Sequence, residues 1–142
     1  MKAQLREGGV GRFSAGMLAV EIHGSRSELG RAAGKAAASH LRAVLARQWG
    51  ARVIFACAPS QDEFLATLTD EPGIAWSRVA AFHMDEYVGL PAGHSANFRH
   101  YLRTHLTARV TPGVVHELAG EAPDTSVECS RYGDLLEETP II

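Results

Sequence analysis

Features of secreted and membrane proteins are scarce in this sequence of 142 residues. It contains two cysteines, Cys57 in an apolar run and Cys129 in a helical pattern, and we expect two reduced core thiols and no disulfide. The first residues lack the apolar stretch of an export signal, and no run is long enough to span a bilayer. The sequence therefore predicts a cytoplasmic protein with no membrane partner.

An excess of charge of one sign is absent as well. Fourteen Lys and Arg residues against 16 Asp and Glu residues leave a net charge of -2, and the arginines form no block. This balance gives no electrostatic reason to expect nucleic acid as a partner. The seven histidines include no i, i+4 pair and no Cys/His spacing typical of zinc ligands, so we expect no metal site.

The patterns that are present predict one α/β domain with a packed core. The hydrophobic fraction is 46%, and short apolar runs alternate with amphipathic stretches. Residues 1–16 are polar and glycine-rich and predict a flexible arm, followed by the domain at 17–142. Strands are predicted at 17–22 (near a sheet edge), 52–58, 79–82 and 114–118. Helices are predicted between residues 25 and 50 and at 62–68, 95–106 and 124–138.

The start of the first helix carries a local signal. Ser25 and Glu28 have the Ser-x-x-Glu spacing of a capping box, and Gly50 predicts the end of the helix. The many alanines indicate close packing against a sheet. The positions that lie on one stripe at helical spacing, mostly apolar and expected to face inward, are Leu29, Ala33, Ala37, Leu41, Val44, Leu45 and Gln48.

Polar side chains follow two of the predicted strands at the points where the strands end. Asp85 and Glu86 come just after the apolar run 79–82, and carboxylates do not continue a buried strand. In open α/β sheets, ligands bind at the carboxyl ends of the strands. Ser60 and Gln61 lie in a turn between strand 52–58 and a helix, which is the setting of many anion sites. His83 and His94 flank the carboxylates, either as pocket residues or as structural ones.

The segment around these carboxylates resembles a known family. Residues 82–91 read F-H-M-D-E-Y-V-G-L-P, which closely resembles the F-N-M-D-E-Y-V-G-L-P signature of the glucosamine-6-phosphate deaminases, with His83 in place of Asn. Residues 120–124 resemble the G-x-A-P-D turn of that family. The resemblance implies a Rossmann-like, mainly parallel open sheet of the NagB, RpiA and CoA-transferase type, with helices on both faces. The turn at 58–61 lacks the glycines of the family's phosphate loop.

The resemblance also implies a reaction. The deaminases convert glucosamine 6-phosphate to fructose 6-phosphate and ammonia, which requires a base that moves a proton from C2 to C1. By its place in the motif Asp85 is that base, and we expect partial burial beside Phe82, Met84 and Tyr87 to raise its pKa. Ser60, Gln61 and Glu86 are the candidates for binding the hexosamine phosphate, while Glu86 and Tyr87 are also expected to brace the loop. The implied reaction needs no cofactor.

The end of the sequence limits these expectations. It reads Pro140-Ile141-Ile142, which resembles the start of another strand, whereas family members continue into an N-G-H-I-A-F-N type segment that opens the sugar ring. We therefore expect weak or no turnover from a truncated domain, and an exposed sheet edge that leaves homo-oligomer formation open. Two alternatives stay open. One is a 6-phosphogluconolactonase-like ester hydrolase, although that group typically has arginine where Tyr87 stands. The other is a non-catalytic sugar-phosphate-binding module.

Overall fold

A computed structural model describes residues 11–137. The strands are β1 (Gly11–Ala15), β2 (Leu18–Ile22), β3 (Ala51–Phe55), β4 (Val79–His83) and β5 (Val114–His116). The helices are α1 (Arg26–Arg47), α2 (Asp62–Asp70), α3 (Phe98–Leu102) and α4 (Thr125–Glu137). One turn of 3-10 helix at Pro59–Gln61 leads into α2, a second at Trp76–Arg78 precedes β4, and a π-helical turn at Arg103–Thr107 continues α3. In the described range, no helix is both long and apolar enough to cross a membrane.

Three parallel strands form the main sheet, in the order β3-β4-β5. The apolar run of β4 lies in the middle and is buried on both faces, as its continuous hydrophobic pattern predicts. Helices α1, α2 and α3 cover one face, where Ala81 of β4 lies in a core with Phe55 and Leu65. Helix α4 covers the other face, where the ring of Tyr132 lies 5.8 Å from that of Phe82. The predicted α/β fold is confirmed.

The first two strands form a separate antiparallel hairpin, and this differs from the prediction. Residues 11–15 were expected to belong to a flexible arm, but they pair with β2 from Gly11 opposite Ile22 to Ala15 opposite Leu18. Gly16 makes the tight reversal possible, because its φ of 62° lies in the left-handed region that glycine adopts at low cost. The rest of the predicted arm, residues 1–10, lies outside the described residues.

The predicted capping box of α1 is confirmed. The Glu28 amide donates to the Ser25 hydroxyl at 3.2 Å, and the Gly24 amide donates to the Glu28 carboxylate at 3.0 Å. At the other end the Arg78 side chain donates to the carbonyl groups of Leu45, Gln48 and Trp49. A cation at the carboxyl end of a helix offsets the partial negative charge of its free carbonyls. Both ends of α1 are therefore satisfied by hydrogen bonds.

In the first turns of α1, the buried residues are each one position later in the sequence than predicted: Gly30 and Gly34 are buried instead of Leu29 and Ala33. Leu29 is 50% exposed. A Cβ on Gly34 would lie 2.7 Å from the Cβ of Thr67, and one on Gly30 would lie 2.9 Å from the backbone carbon of Glu63. The two glycines therefore let α1 pack closely on α2, and not only on the sheet. Periodicity of large apolar residues does not reveal a contact made by glycine.

The two cysteines lie in different environments. Cys57 is buried after β3, as expected, but Cys129 on α4 is exposed and the inward placement predicted for it is wrong. The inward face of α4 runs through Glu128 and Tyr132, and Cys129 lies beside it. The Glu128 carboxylate accepts from the Ala119 amide at 2.8 Å, which fixes the rotation of the helix. Both cysteines are free thiols.

Candidate functional site

Asp85 lies at the carboxyl end of the sheet, just after β4. Its side chain is exposed, and among the described residues nothing forms a hydrogen bond or ion pair with it. The neighbouring Met84 and Tyr87 are 62% and 52% exposed. The expected partial burial of Asp85 is therefore wrong, because its two flanking apolar side chains face outward as well. The carboxylate is free to meet a ligand from solvent.

The adjacent carboxylate, Glu86, is buried and bonded to the backbone, unlike Asp85. Its side chain is only 2% exposed. Its carboxylate accepts hydrogen bonds from the backbone amides of Phe98 and Arg99, at 2.9 and 3.0 Å. It also accepts one from the backbone amide of its neighbour Tyr87, at 2.9 Å. Glu86 thus caps the start of α3, where the helix dipole stabilises a negative charge. Its predicted bracing role is confirmed by these bonds. Substrate binding was also expected of it, but its buried oxygens are already occupied by amides.

At the usual cap position of α3, no side chain bonds to the free amides of the helix. Asn97 occupies that position, yet its side-chain amide donates instead to the carbonyls of Pro91 and Ala92, at 2.8 and 3.2 Å. These bonds shape the loop between β4 and α3. Glu86 therefore reaches across from the other end of that loop to supply the cap. No local pattern signals this exchange, because the two positions are separated by a long loop.

Further contacts hold the Asp85 loop (residues 84–97, between β4 and α3) against α3 and against the loop that follows β5. The Tyr87 ring stacks on Phe98, with ring centroids 4.7 Å apart, and the Gly89 amide donates to the Gly120 carbonyl at 2.8 Å. A Cβ on Gly120 would overlap the Tyr87 carbonyl oxygen and lie 2.9 Å from the Glu86 side chain. The glycine of the G-E-A-P-D turn is thus required by close packing. The prediction that Tyr87 braces the loop is confirmed.

Arg99 joins the same region and was missed by the sequence reasoning. Its guanidinium is buried, forms two hydrogen bonds with the Glu121 carboxylate and lies 3.8 Å from that of Glu86. The hydrogen bond from Arg99 lowers the pKa of Glu121, and the same bond raises the pKa of Arg99. One buried cation thus serves two carboxylates. The partners are far apart in sequence, so no spacing rule detects them.

The candidate phosphate turn after β3 is held less tightly. Ser60 is exposed, and its hydroxyl accepts only from the Gln61 side chain, at 3.3 Å. The Gln61 amide donates to the Ala58 carbonyl at 2.8 Å, which closes the 3-10 turn. Arg26 of α1 donates to the Pro59 carbonyl and to Glu63, the latter at 2.8 Å. Ser60 and Gln61 are accessible donors, and their predicted phosphate contacts stay a prediction.

A second interaction supports this turn from α3. The Tyr101 hydroxyl donates to Asp62 at 2.6 Å, and the His105 ring stacks on the Tyr101 ring with centroids 3.9 Å apart. Burial first, and then the hydrogen bond to Asp62, raises the pKa of Tyr101. Tyr101 is therefore a protonated donor at neutral pH. No local pattern signals this bond, because Tyr101 and Asp62 are 39 residues apart in the sequence.

A cavity of about 350 Å³ opens beside β3. Its lining is mostly apolar and comes from α1, β3 and α2, together with Met84. Gln61 and His40 are the polar side chains among the lining residues, whereas Ser60 and Asp85 do not line it. The 58–61 turn and the segment after β4 therefore each reach this cavity through one side chain, Gln61 and Met84 respectively. The Met84 amide also donates to the Phe55 carbonyl at 3.1 Å, which links the ends of β3 and β4.

Buried titratable groups beneath the site are held neutral. Burial first, and then the charges of Asp85 and Glu86, raises the pKa of the Cys57 thiol to about 12. Burial lowers the pKa of His83, whose Nε2 accepts from the Leu118 amide at 2.6 Å. His83 is thus a structural histidine, and Cys57 is no nucleophile. His94 lies in an exposed loop, where its Nδ1 accepts from the Ala96 amide at 3.1 Å.

The fold of this chain is shared with solved structures of other proteins. A solved monomeric glucosamine-6-phosphate deaminase of the NagB superfamily superposes with a TM-score of 0.70 and 19% identity, over 80% of this chain and 47% of that one. A 6-phosphogluconolactonase from Shewanella baltica gives 0.67 and 17%, over 82% and 49%. At such identities the likeness shows a shared fold alone. No family model matches the sequence.

Two proteins that are similar in sequence to this chain share one enzyme name. A glucosamine-6-phosphate deaminase from Arthrobacter sp. (strain FB24) is 42% identical over 81 residues, which is 56% of this chain and 31% of that protein. Glucosamine-6-phosphate deaminase 1 from Giardia intestinalis is 43% identical over 75 residues, 51% of this chain and 28% of that protein. The predicted resemblance to this enzyme family is confirmed. The matches span about half of this chain and less than a third of each relative.

Proposed function

We propose that this chain is a glucosamine-6-phosphate deaminase-like protein that binds a hexosamine phosphate, with Asp85 as the base. The observation that carries this proposal is the contrast between two adjacent carboxylates. Asp85 is exposed and unengaged, whereas Glu86 is buried and bonded to the backbone of α3. A base must reach the substrate while its loop stays in place. The relatives named glucosamine-6-phosphate deaminase support the same substrate class.

In this proposal each group has a separate task. Asp85 removes the C2 proton of the opened amino sugar and returns it to C1. Glu86 and Tyr87 keep the Asp85 loop against α3 and the Gly120 turn. Ser60 and Gln61 donate hydrogen bonds to the phosphate at the start of α2, where the helix dipole favours an anion. The first turn of α2 carries Asp62 and Glu63, which oppose an anion, so we expect weak phosphate binding.

Location and assembly belong to the proposal as well. We place the protein in the cytoplasm, where an enzyme of sugar-phosphate metabolism meets its substrate. Within residues 11–137, β3 pairs with a strand on one side only, and an apolar cavity opens beside it. Unpaired sheet edges favour association. Light scattering after gel filtration would measure the mass in solution, and a monomer at all concentrations would count against a homo-oligomer.

Proton transfer can be tested separately from deamination. The chain is incubated in D2O with fructose 6-phosphate and an ammonium salt, which together re-form the C2 imine, and NMR measures deuterium incorporation at C1. We expect slow incorporation that Asp85→Asn reduces by about 100-fold or more, since a positioned base contributes about that factor. Asp134→Asn, an exposed carboxylate on α4, is the matched control and should change nothing. Equal rates from the parent chain and Asp85→Asn would remove Asp85 from the mechanism.

A lactonase activity is the second candidate, because 6-phosphogluconolactonases share the fold. Hydrolysis of 6-phosphogluconolactone would be followed against its spontaneous rate. We expect no acceleration, given the sequence relatives. Accelerated lactone hydrolysis without exchange at C1 of fructose 6-phosphate would reverse the ranking. Calorimetry with glucosamine 6-phosphate separates the remaining alternative, which is binding without turnover.

A further inference from the structure

Two arginines on α3 and its continuation make similar contacts in different surroundings. Arg99 and Arg103 each form two hydrogen bonds with a glutamate in the segment that follows β5, Glu121 and Glu117 respectively. The Arg103 side chain is 53% exposed, whereas the Arg99 side chain is 6% exposed. Only Arg99 also approaches Glu86, at 3.8 Å. The Arg99–Glu121 and Arg103–Glu117 pairs therefore have the same chemistry, but only the buried Arg99 also faces the carboxylate of the Asp85 loop.

The position of Arg99 links two supports of the Asp85 loop, Glu86 and the turn at Gly120 and Glu121. Its backbone amide donates to Glu86 at 3.0 Å, and its guanidinium faces the same carboxylate. Its other partner, Glu121, follows Gly120, whose carbonyl accepts from Gly89. A single buried side chain thus connects the loop after β4, the start of α3 and the loop after β5. A buried cation with two carboxylate partners is costly to remove, because the carboxylates then lose their counter-charge.

Imperfect hydrogen bonding is concentrated in the same place. Over the described residues, three buried side-chain polar atoms have no hydrogen-bond partner: His83 Nδ1, Asn97 Oδ1 and Arg99 Nε. All three belong to residues at the ends of the segment between β4 and α3. Buried polar atoms are nearly always paired, and exceptions collect where function constrains the structure. The segment that carries Asp85 is thus bounded at both ends by residues with an unpaired buried polar atom.

We propose that Arg99 is the positioning residue of this site: it holds the Asp85 loop in place through Glu86 and Glu121. Arg99 does not touch the substrate and acts through the two carboxylates. Its guanidinium geometry matters, because a lysine would keep the charge but lose the paired hydrogen bonds to Glu121. The bracing itself follows from the contacts, and only its catalytic purpose rests on the proposed function.

Amide hydrogen exchange measured by NMR on the full chain tests the bracing. The amides of residues 98 and 99 donate to Glu86, and the Ala81 amide in β4 reports global opening. We expect Arg99→Met to accelerate exchange at 98 and 99 by about tenfold relative to Ala81, because the loop opens locally. Arg103→Met is the matched control, for which the ratio should change by less than about twofold. Equal ratios in the two variants would overturn the proposal.

Two further variants keep the test decisive. Glu121→Gln leaves Arg99 in place and removes one of its charged partners, so it should accelerate the same amides by about threefold even if Arg99→Met does not fold. No acceleration in Glu121→Gln would count against the network. Arg99→Lys should lie between the parent chain and Arg99→Met. Lysine behaving like methionine would mean that positive charge contributes nothing, which contradicts the proposed role.

A titration with glucosamine 6-phosphate adds the functional readout. If the parent chain binds, Arg99→Met should weaken binding by about tenfold, Arg99→Lys should recover part of it, and Arg103→Met should stay within about twofold. Binding that Arg99→Met leaves unchanged would refute the positioning role while the proposed function stands. If the parent chain does not bind, the proposed function fails, and the exchange ratios still decide whether Arg99 holds the loop.

Discussion

Two segments at the carboxyl end of the sheet, the Asp85 loop after β4 and the 58–61 turn after β3, are held to very different degrees. The Asp85 loop is tied to α3 and to the Gly120 turn by a buried carboxylate, a stacked ring and a buried arginine. The turn presents an exposed Ser60 and is joined to α1 through the half-exposed Arg26. Buried hydrogen-bonded charges position groups far more firmly than exposed ones do. This difference indicates that the fold fixes the predicted base more firmly than the predicted phosphate contacts.

The largest expected loss of stability in the Asp85 loop comes from adding one methyl group at Gly120. Gly120→Ala should lower the free energy of unfolding by about 3 kcal/mol, because its Cβ overlaps the Tyr87 carbonyl and presses on Glu86. Gly93→Ala, in the loop between β4 and α3, is the control, since no atom lies within 4 Å of its Cβ. Urea denaturation measures both. Similar losses in the two variants would mean that the close approach at Gly120 does not exist in solution.

The two adjacent carboxylates offer the next sharpest contrast. Glu86→Gln should cost about 2 kcal/mol of unfolding free energy, because one oxygen that accepts an amide becomes an NH2 group. Asp85→Asn should change stability by less than about 0.5 kcal/mol, since that side chain is exposed and unengaged. Denaturation curves of the two variants make the comparison within one loop. A loss of the same size in both would contradict the separate roles assigned here.

A variant of Tyr101 tests how firmly the 58–61 turn is held, because Tyr101 bonds to Asp62 directly after that turn. Tyr101→Phe removes the 2.6 Å hydrogen bond to Asp62 while keeping the ring that stacks on His105. We expect a loss of about 1 kcal/mol in the free energy of unfolding, which is the usual size for such a bond. Thermal or urea unfolding checks this value. A loss as large as that of Glu86→Gln would show that the two segments are held equally well.

The smallest expected effect concerns the anchor between α4 and the loop after β5. A hydrogen bond from Arg131 is the main cause that lowers the pKa of Glu128 from 4.5 to about 2. A lowered folded-state pKa adds stability above the unfolded value, and that contribution is lost as the pH falls from about 4.5 towards 2. The urea midpoint of the parent chain should therefore decline over this range slightly more than that of Glu128→Gln. Parallel declines would show that Glu128 is not anchored in solution.

Much of the fold was predictable because its signals are local. The capping box of Ser25 and Glu28 acts within one helical turn, and the apolar run of β4 is typical of a strand buried on both faces. The start of α4 is local as well, because the Asp124 carboxylate accepts hydrogen bonds from the amides of Ser126 and Val127. The position of Asp85 at the end of β4 followed from the same reasoning. Each of these features depends on residues that are neighbours in the chain.

Other features depended on contacts that no pattern announces. Gly30 and Gly34 form the contact of α1 with α2, although the larger Leu29 carried the periodic signal. Residues 11–15 form a hairpin strand, because pairing with β2 overrides a glycine-rich composition. The cap of α3 comes from Glu86, and the partner of Arg99 is Glu121. In each case the partner lies too far along the chain for a spacing rule.

By itself, the sequence determined the order of strands and helices from residue 17 onward, the caps made by near neighbours, and the placement of two carboxylates at the carboxyl end of a parallel sheet. Only the tertiary structure decided which carboxylate is free. Asp85 and Glu86 have the same charge and nearly the same size, and neither composition nor periodicity tells them apart. The distinction arises because folding brings the amides of α3 within hydrogen-bond distance of Glu86 and leaves Asp85 in solvent. Bonds of that kind exist only after the sheet and its helices have assembled.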